Sequence, residues 1–362
     1  MQKVKRQEVN EILRKYYRFD ENETLQKYYR FADKADEVNW NARYKPNQEF
    51  LAKLIPSILS FTDSSIRKVI DDKTSLRALV TISGGLDSSV STMLVAEAMR
   101  KAKNSGSVKS TSLILLAFKG ISDEDLEYAR RFGNFITSNH TDLSVYYQES
   151  DLTPLLRAVD GHTEELVVAS TRQKLYAGGL TTRLINLVGL EVSDKIGHCF
   201  INTTNGTEVV LGEFVIGAGG EYAPLVDFYK SRVYDIGELI GVPKFVSERP
   251  PINSTYGTDK IHTYFGEIPA GLTPRDVYAV LDPVLYLIYN KGFKPRTIAK
   301  GLGHSEKFVK NVYEKVKAQE HRREVPFFRV KDRSIRLKRT IETFTNEEVE
   351  SFIEDSYNIL RR

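Results

Sequence analysis

The chain has 362 residues, 41% apolar and 28% charged, with 52 basic against 48 acidic side chains for a net charge of +4. This composition excludes a disordered or collagen-like chain, and so small a positive excess does not by itself indicate a nucleic-acid or membrane surface. The single cysteine, Cys199, excludes an internal disulfide and any multi-cysteine zinc site, which suits an intracellular, cytoplasmic protein, and no apolar run reaches the ~18 residues needed to span a bilayer.

Residues 1–49 are polar and tyrosine-rich, with helical spacing in Val9, Ile12, Leu13 and Tyr16. They read as a helical N-terminal extension that docks on a core or a partner. Basic as it is, the start carries Glu8 and Glu11 and no apolar core, so neither a signal nor a transit segment is expected. From about residue 50 helices and short apolar strands alternate: helix 50–70, strand 77–82, helix 87–103, strand 112–118, helix 123 to about 136, a weaker strand 144–147, helices across 164–190, and strand 197–202. Such alternation predicts an α/β fold, a doubly wound, mostly parallel sheet with helices on both faces. Ligands then bind at the carboxyl edge of the strands. Two further helices are expected at 274–291 and 295–319, interrupted by Gly292 and by Gly301 and Gly303. Residues 321–339 hold eight Lys/Arg against two acids, and residues 340–360 hold six acids and no base. These opposite blocks predict a basic-then-acidic C-terminal tail, placed here at 333–362.

The sharpest signal is TISGGLDSS, residues 81–89, directly between a strand and a helix. Gly84 and Gly85 allow backbone N–H groups to turn inward around an anion. Ser83, Ser88 and Ser89 add hydroxyl donors, and the helix N-terminus adds positive potential. Asp87 is out of place beside phosphates unless a cation stands between them, the usual arrangement of a carboxylate with Mg²⁺. No GK[ST] follows, so this is not a Walker A loop.

Residues 83–89, SGGLDSS, resemble the SGGxDS loop of the adenine-nucleotide α-hydrolase (ATP pyrophosphatase) superfamily. The resemblance implies a Rossmann-like fold and cleavage of ATP between its α and β phosphates. Further segments resemble ammonia-dependent NAD synthetase: NTTNGTE at 202–208, GAGGEYAPLVDFYK at 217–230, GVP at 241–243, RPP at 249–251, and EHRR at 320–323 with Pro326. In order and spacing the likeness covers roughly 50–332, taken as the catalytic domain. It implies that the enzyme adenylates the nicotinate carboxylate of deamido-NAD and lets ammonia displace AMP, with ATP as co-substrate and Mg²⁺ as cofactor. It further implies ATP contact by Ser83, Gly84, Gly85, Asp87, Ser88, Ser89, Thr203 and Lys230, Mg²⁺ ligation by Asp87 and Glu208, and substrate contact by Arg183, His321 and Arg322. A homodimer is implied on the same ground. The chain departs from the family at Ala218, Val215, Ile252 and Ile185, which thins the dinucleotide contacts and leaves the phosphate chemistry in place.

No glutaminase domain is visible, so ammonia is expected free or from a separate partner. Cys199 sits in an apolar run and reads as packing. Competing expectations are another SGGxDSS-loop enzyme acting on a different carboxylate, nucleotide or RNA, a non-catalytic relative, or a DNA-binding helix-turn-helix at 294–319. That last helix would begin Ser305-Glu306-Lys307, without the Arg, Asn or Gln that reads bases. Nucleic acid is therefore not the expected partner.

Overall fold

The computed structural model describes Val38, Trp40, Arg43, Tyr44 and residues 48–323, apart from 121, 165–172 and 250–270. The helix expected around Val9 to Tyr16, the charged tail, Ile252 and the Pro250–Pro251 pair lie outside the described residues.

The elements are α1 (Gln48–Ile70), β1 (Ser75–Thr81), α2 (Leu86–Asn104), β2 (Ser110–Lys119), α3 (Asp123–Asn139), β3 (Val145–Asp151), α4 (Thr153–Glu164), α5 (Gln173–Ile196) and β4 (Cys199–Ile201), followed by α6 (Gly206–Leu211), α7 (Lys230–Leu239), α8 (Lys244–Ser247), α9 (Pro274–Tyr289), α10 (Pro295–Leu302), α11 (Glu306–Ala318) and α12 (Glu320–Arg323). The four strands are parallel in the order β3-β2-β1-β4, with Leu79 opposite Ile114 on one side and Phe200 on the other. Alternation along the strands divides the core. Ala78, Val80, Leu113, Leu115, Cys199 and Ile201 pack against α1, α2, α3, α7 and α8, whereas Leu79, Leu116, Phe118 and Phe200 face α4 and α5. Helices therefore cover both faces, as the alternating sequence predicts. Because the chain leaves β1 for β2 and β3 and later returns to its other side at β4, the winding reverses between β1 and β4. That junction is where a doubly wound sheet opens a crevice at its carboxyl edge.

Two expectations need correction. Instead of helices across 164–190, α4 begins at Thr153 and α5 continues to Ile196. The missed start carries a local signature, since Asp151 Oδ1 accepts from the Thr153 amide at 2.9 Å and Pro154 sits in the first turn. The strand expected at 144–147 runs on through Asp151, because β3 is an edge strand whose alternate residues are exposed and hence polar.

A second apolar cluster joins α6 and α9–α11, and Val38, Trp40 and Tyr44 pack on it. The helix pair expected at 295–319 is present. Gly303 turns the chain at φ +67°, and Phe308, Val309, Val312 and Val316 of α11 are buried in this cluster. Packing thus accounts for the pair's apolar face. Pro283 lies inside α9 and has no N–H for the carbonyl four residues earlier. That carbonyl, of Ala279, instead accepts from the Tyr44 amide at 2.8 Å. Next to this bond Arg43 pairs with Asp276 at 2.6 Å, within the Thr273–Asp276 capping box of α9. Arg43 and Tyr44 are thereby strapped to the helix. No helix among the described residues is long and apolar enough to cross a membrane.

Candidate active site

The loop after β1 is shaped from behind. Gly84 has φ +68°, and a Cβ there would stand 2.4 Å from the Cβ of Tyr128 and 2.5 Å from its carbonyl carbon. Arg249 backs the same wall: its guanidinium lies 4.0 Å from the Tyr128 ring centre, donates to the Ser83 carbonyl at 3.4 Å and pairs with the Asp125 carboxylate. Gly85 is the N-cap of α2 and offers no side chain to cap it, so no cap side chain engages the first-turn amides. Ser83 is exposed at the loop, whereas Ser88 and Ser89 are buried. The Ser88 hydroxyl donates to the Gly85 carbonyl at 3.1 Å and so braces the turn. Gly84→Ala is expected to destabilise the protein by at least ~2 kcal/mol, the left-handed backbone and the collision with Tyr128 both contributing. Denaturant unfolding at wild-type stability would refute this loop geometry.

The loop after β4 meets it at the β1–β4 junction. Asn205 caps α6, accepting from the Glu208 amide at 3.0 Å, while Glu208 Oε2 accepts from the Asn205 amide at 3.2 Å. The Asn205 side-chain amide also donates to Asp87 Oδ1 at 3.1 Å. The Lys230 ammonium, from the first residue of α7, donates to Asp87 Oδ2. Burial disfavours the Lys230 charge, but the carboxylates of Asp87 and Glu208 outweigh it, and its pKa is raised. Burial, and then the nearby charge of Asp87, push the Glu208 carboxyl far above the usual carboxylate range. Two carboxylates thus face one ammonium in a cleft beside a helix N-terminus. Thr203 lies half-buried in the same β4 loop, which is held by a 2.8 Å bond from the Thr204 amide to the Asn202 side chain.

The structure brings Asp87, Glu208 and Lys230 together, and Thr203 lies on the adjoining loop. Arg183 stands elsewhere: it is exposed on α5 and donates to the Ile216 carbonyl at 3.1 Å. Arg322 lies on the one-turn helix α12, donates to the Phe214 carbonyl and sits 5.6 Å from the Phe214 ring centre. His321 is on the same turn, but its side chain lies outside the described residues. Of the departures from the family pattern, Ile185 packs into the α5 face of the sheet, Val215 is buried, and Ala218 closes a turn onto the Val215 carbonyl at 3.1 Å. Sequence reasoning missed Asn205, although N-x-x-E is a legible capping box. It also assigned no role to Arg249 or Asp125. Cys199 is buried in β4, and burial pushes its thiol up to about 12, which fits packing and not catalysis.

The sequence model described as NAD synthase matches residues 58–326. Relatives similar in sequence include the NH3-dependent NAD+ synthetase of Pyrococcus furiosus, 27% identical over 254 residues, 68% of this chain and 86% of the relative. Another is the NH3-dependent NAD+ synthetase of Sulfolobus acidocaldarius, 24% identical over 291 residues, 80% of this chain and 94% of the relative. Among solved structures, NMN synthetase from Francisella tularensis shares the fold with a TM-score of 0.54 at 17% identity, over 77% of this chain and 98% of that one.

Proposed function

The chain belongs to the NAD synthase family, and from that membership we propose that it makes NAD by ATP-dependent amidation. A carboxylate oxygen of the nicotinate in deamido-NAD attacks the α-phosphorus of ATP, pyrophosphate leaves, and ammonia displaces AMP from the acyl carbon. The observation that carries this reading is the meeting of Asp87, Asn205, Glu208 and Lys230 at the β1–β4 junction, beside the uncapped first turn of α2.

In this reading the residues divide the work. The backbone of Ser83, Gly84 and Gly85 and the first turn of α2 cradle the departing pyrophosphate. Lys230 supplies positive charge that the phosphate oxygens share with Asp87. Thr203 contacts ATP from the β4 loop, and Ser88 keeps the cradle in shape. Arg183, His321 and Arg322 are assigned to the dinucleotide, and Arg322 reaches it by exchanging its bond to the Phe214 carbonyl. The donor set fits Mg²⁺, since Asp87 and Glu208 are hard oxygen ligands. A pair of carboxylates suits a cation held together with substrate phosphates. Bound there, Mg²⁺ would offset the charge of the triphosphate. A cytoplasmic homodimer, supplied with free ammonia or by a separate glutaminase, completes the proposal on family resemblance.

Mass analysis of products tests the reaction. AMP, pyrophosphate and NAD are expected from ATP, deamido-NAD and ammonium; ADP and phosphate would overturn the assignment. Glutamine should not replace ammonium, because the Cys199 thiol is buried and held protonated. Efficient glutamine use by the purified chain would contradict that.

A further inference from the structure

Behind the cleft lies a second polar network, whose members Asp282, Thr207 and Ser231 are all buried. Asp282, in the middle of α9, is fully buried. Its Oδ1 accepts from the Thr207 hydroxyl at 2.8 Å, and its Oδ2 accepts from the Ser231 amide at 2.7 Å. The same Thr207 oxygen accepts from the Lys230 amide at 2.8 Å. One carboxylate and one hydroxyl therefore tie the first turns of α6 and α7 to α9. Thr207 immediately precedes Glu208, and Ser231 immediately follows Lys230.

Enclosing a carboxylate is costly unless its oxygens are well paired. At the start of α7 its charge also complements the helix dipole. We propose that Asp282 is a positioning residue, which through Thr207 and the Ser231 amide sets where Glu208 and Lys230 meet Asp87. Burial pushes the Asp282 carboxyl up to about 6, in line with how completely it is shielded from water. The strap described above closes on Ala279, three residues before Asp282, so α9 is also anchored about one turn before the network. Lys230 reaches the cleft on a flexible stem from a backbone pinned here. A shift of ~1 Å in that first turn displaces the ammonium from Asp87, and misplacement of that size can cost on the order of 10²-fold in rate.

The role rests on the proposed ATP chemistry but not on the identity of the carboxylate substrate, and the test separates the two. Binding of MgATP is measured by calorimetry and pyrophosphate release by turnover, alongside melting midpoints, for wild type, Thr207→Val, Thr207→Ser and Asp282→Asn. Thr207→Val keeps the shape and removes the hydroxyl. It is expected to weaken MgATP binding about tenfold and slow pyrophosphate release by roughly 10–100-fold. Thr207→Ser, which keeps the hydroxyl, should recover most of that loss, and Asp282→Asn should fall in between because one acceptor oxygen remains. Thr207→Ala carries the same expectation as Thr207→Val should the latter fail to fold. A purely structural network would lower the melting midpoints and leave MgATP affinity and turnover per folded molecule unchanged, which overturns the proposal. Wild-type protein that binds MgATP without forming NAD would count against the substrate reading alone.

Discussion

Asp87→Asn is expected to lower NAD formation by on the order of 10²–10³-fold at saturating ATP and Mg²⁺, with the fold retained. The asparagine still fills the volume and can still accept from the Asn205 amide, the 3.1 Å bond that links the two loops. What is lost is negative charge at the point where Lys230, Glu208 and the triphosphate converge. Lys230, a buried residue, keeps Glu208 as its main counter-charge in the cleft, and the cation loses one of its two proposed ligands. Circular dichroism should match wild type while the melting midpoint falls modestly, since Glu208 can ionise more readily once Asp87 is neutral. Near-wild-type turnover in Asp87→Asn would mean that the cation and the phosphates lie elsewhere.

Lys230→Met carries the other large effect, on ATP affinity and stability together. Removing the ammonium leaves Asp87 and Glu208 facing each other with the Asn205 amide as the remaining close donor. Breaking such a covered pair costs about 3 kcal/mol, and the loss should depend on pH. Burial and the charge of Asp87 already raise the Glu208 carboxyl in the wild type, and without Lys230 to oppose them Glu208 holds its proton more firmly in the folded state and releases it on unfolding. The folded chain then binds more protons than the unfolded one, so stability falls as pH rises from the ordinary carboxylate range toward 8. The KM for ATP is expected to rise more than tenfold, with a smaller change for deamido-NAD. Denaturant unfolding at pH 6 and pH 8, with both KM values, checks this. A Lys230→Met protein equally stable at the two pH values would contradict the electrostatic account.

The TISGGLDSS string was legible because its chemistry is local: glycines for the turn, a carboxylate in the first helical turn, and a strand before it. The doubly wound class was legible for a similar reason, since alternating apolar strands and amphipathic helices are written along the chain. The order β3-β2-β1-β4 was not, because it depends on pairing between residues such as Ala78 and Cys199 that are far apart in sequence. Glu208 and Lys230 entered only through motif likeness. No property of an isolated acid or lysine announces that α6 and α7 will aim them at Asp87. Asp282 was hidden by its surroundings, because LDPVLYLIY reads as a core helix. Only the fold reveals that its one charge is held by the Thr207 hydroxyl and the Ser231 amide. Arg322 shows the opposite limit: a motif suggests a ligand contact, while the side chain donates to the Phe214 carbonyl in the structure.

The bond from the Tyr44 amide to the carbonyl that Pro283 leaves open has a consequence for biosynthesis. Its companion pair, Arg43 with Asp276, joins residues 233 positions apart. Translation at ~5–20 residues per second separates the appearance of the two partners by roughly 10–50 s. Arg43 and Tyr44 therefore wait for a helix made much later before they can dock. Throughout that interval the peptide bond after Arg43 stays open to proteases, and the docking of a distant helix closes it. Nascent chains halted before residue 274 should be cut by trypsin at Arg43, and released full-length protein should resist. Equal cleavage of both would show that the strap gains no protection from α9.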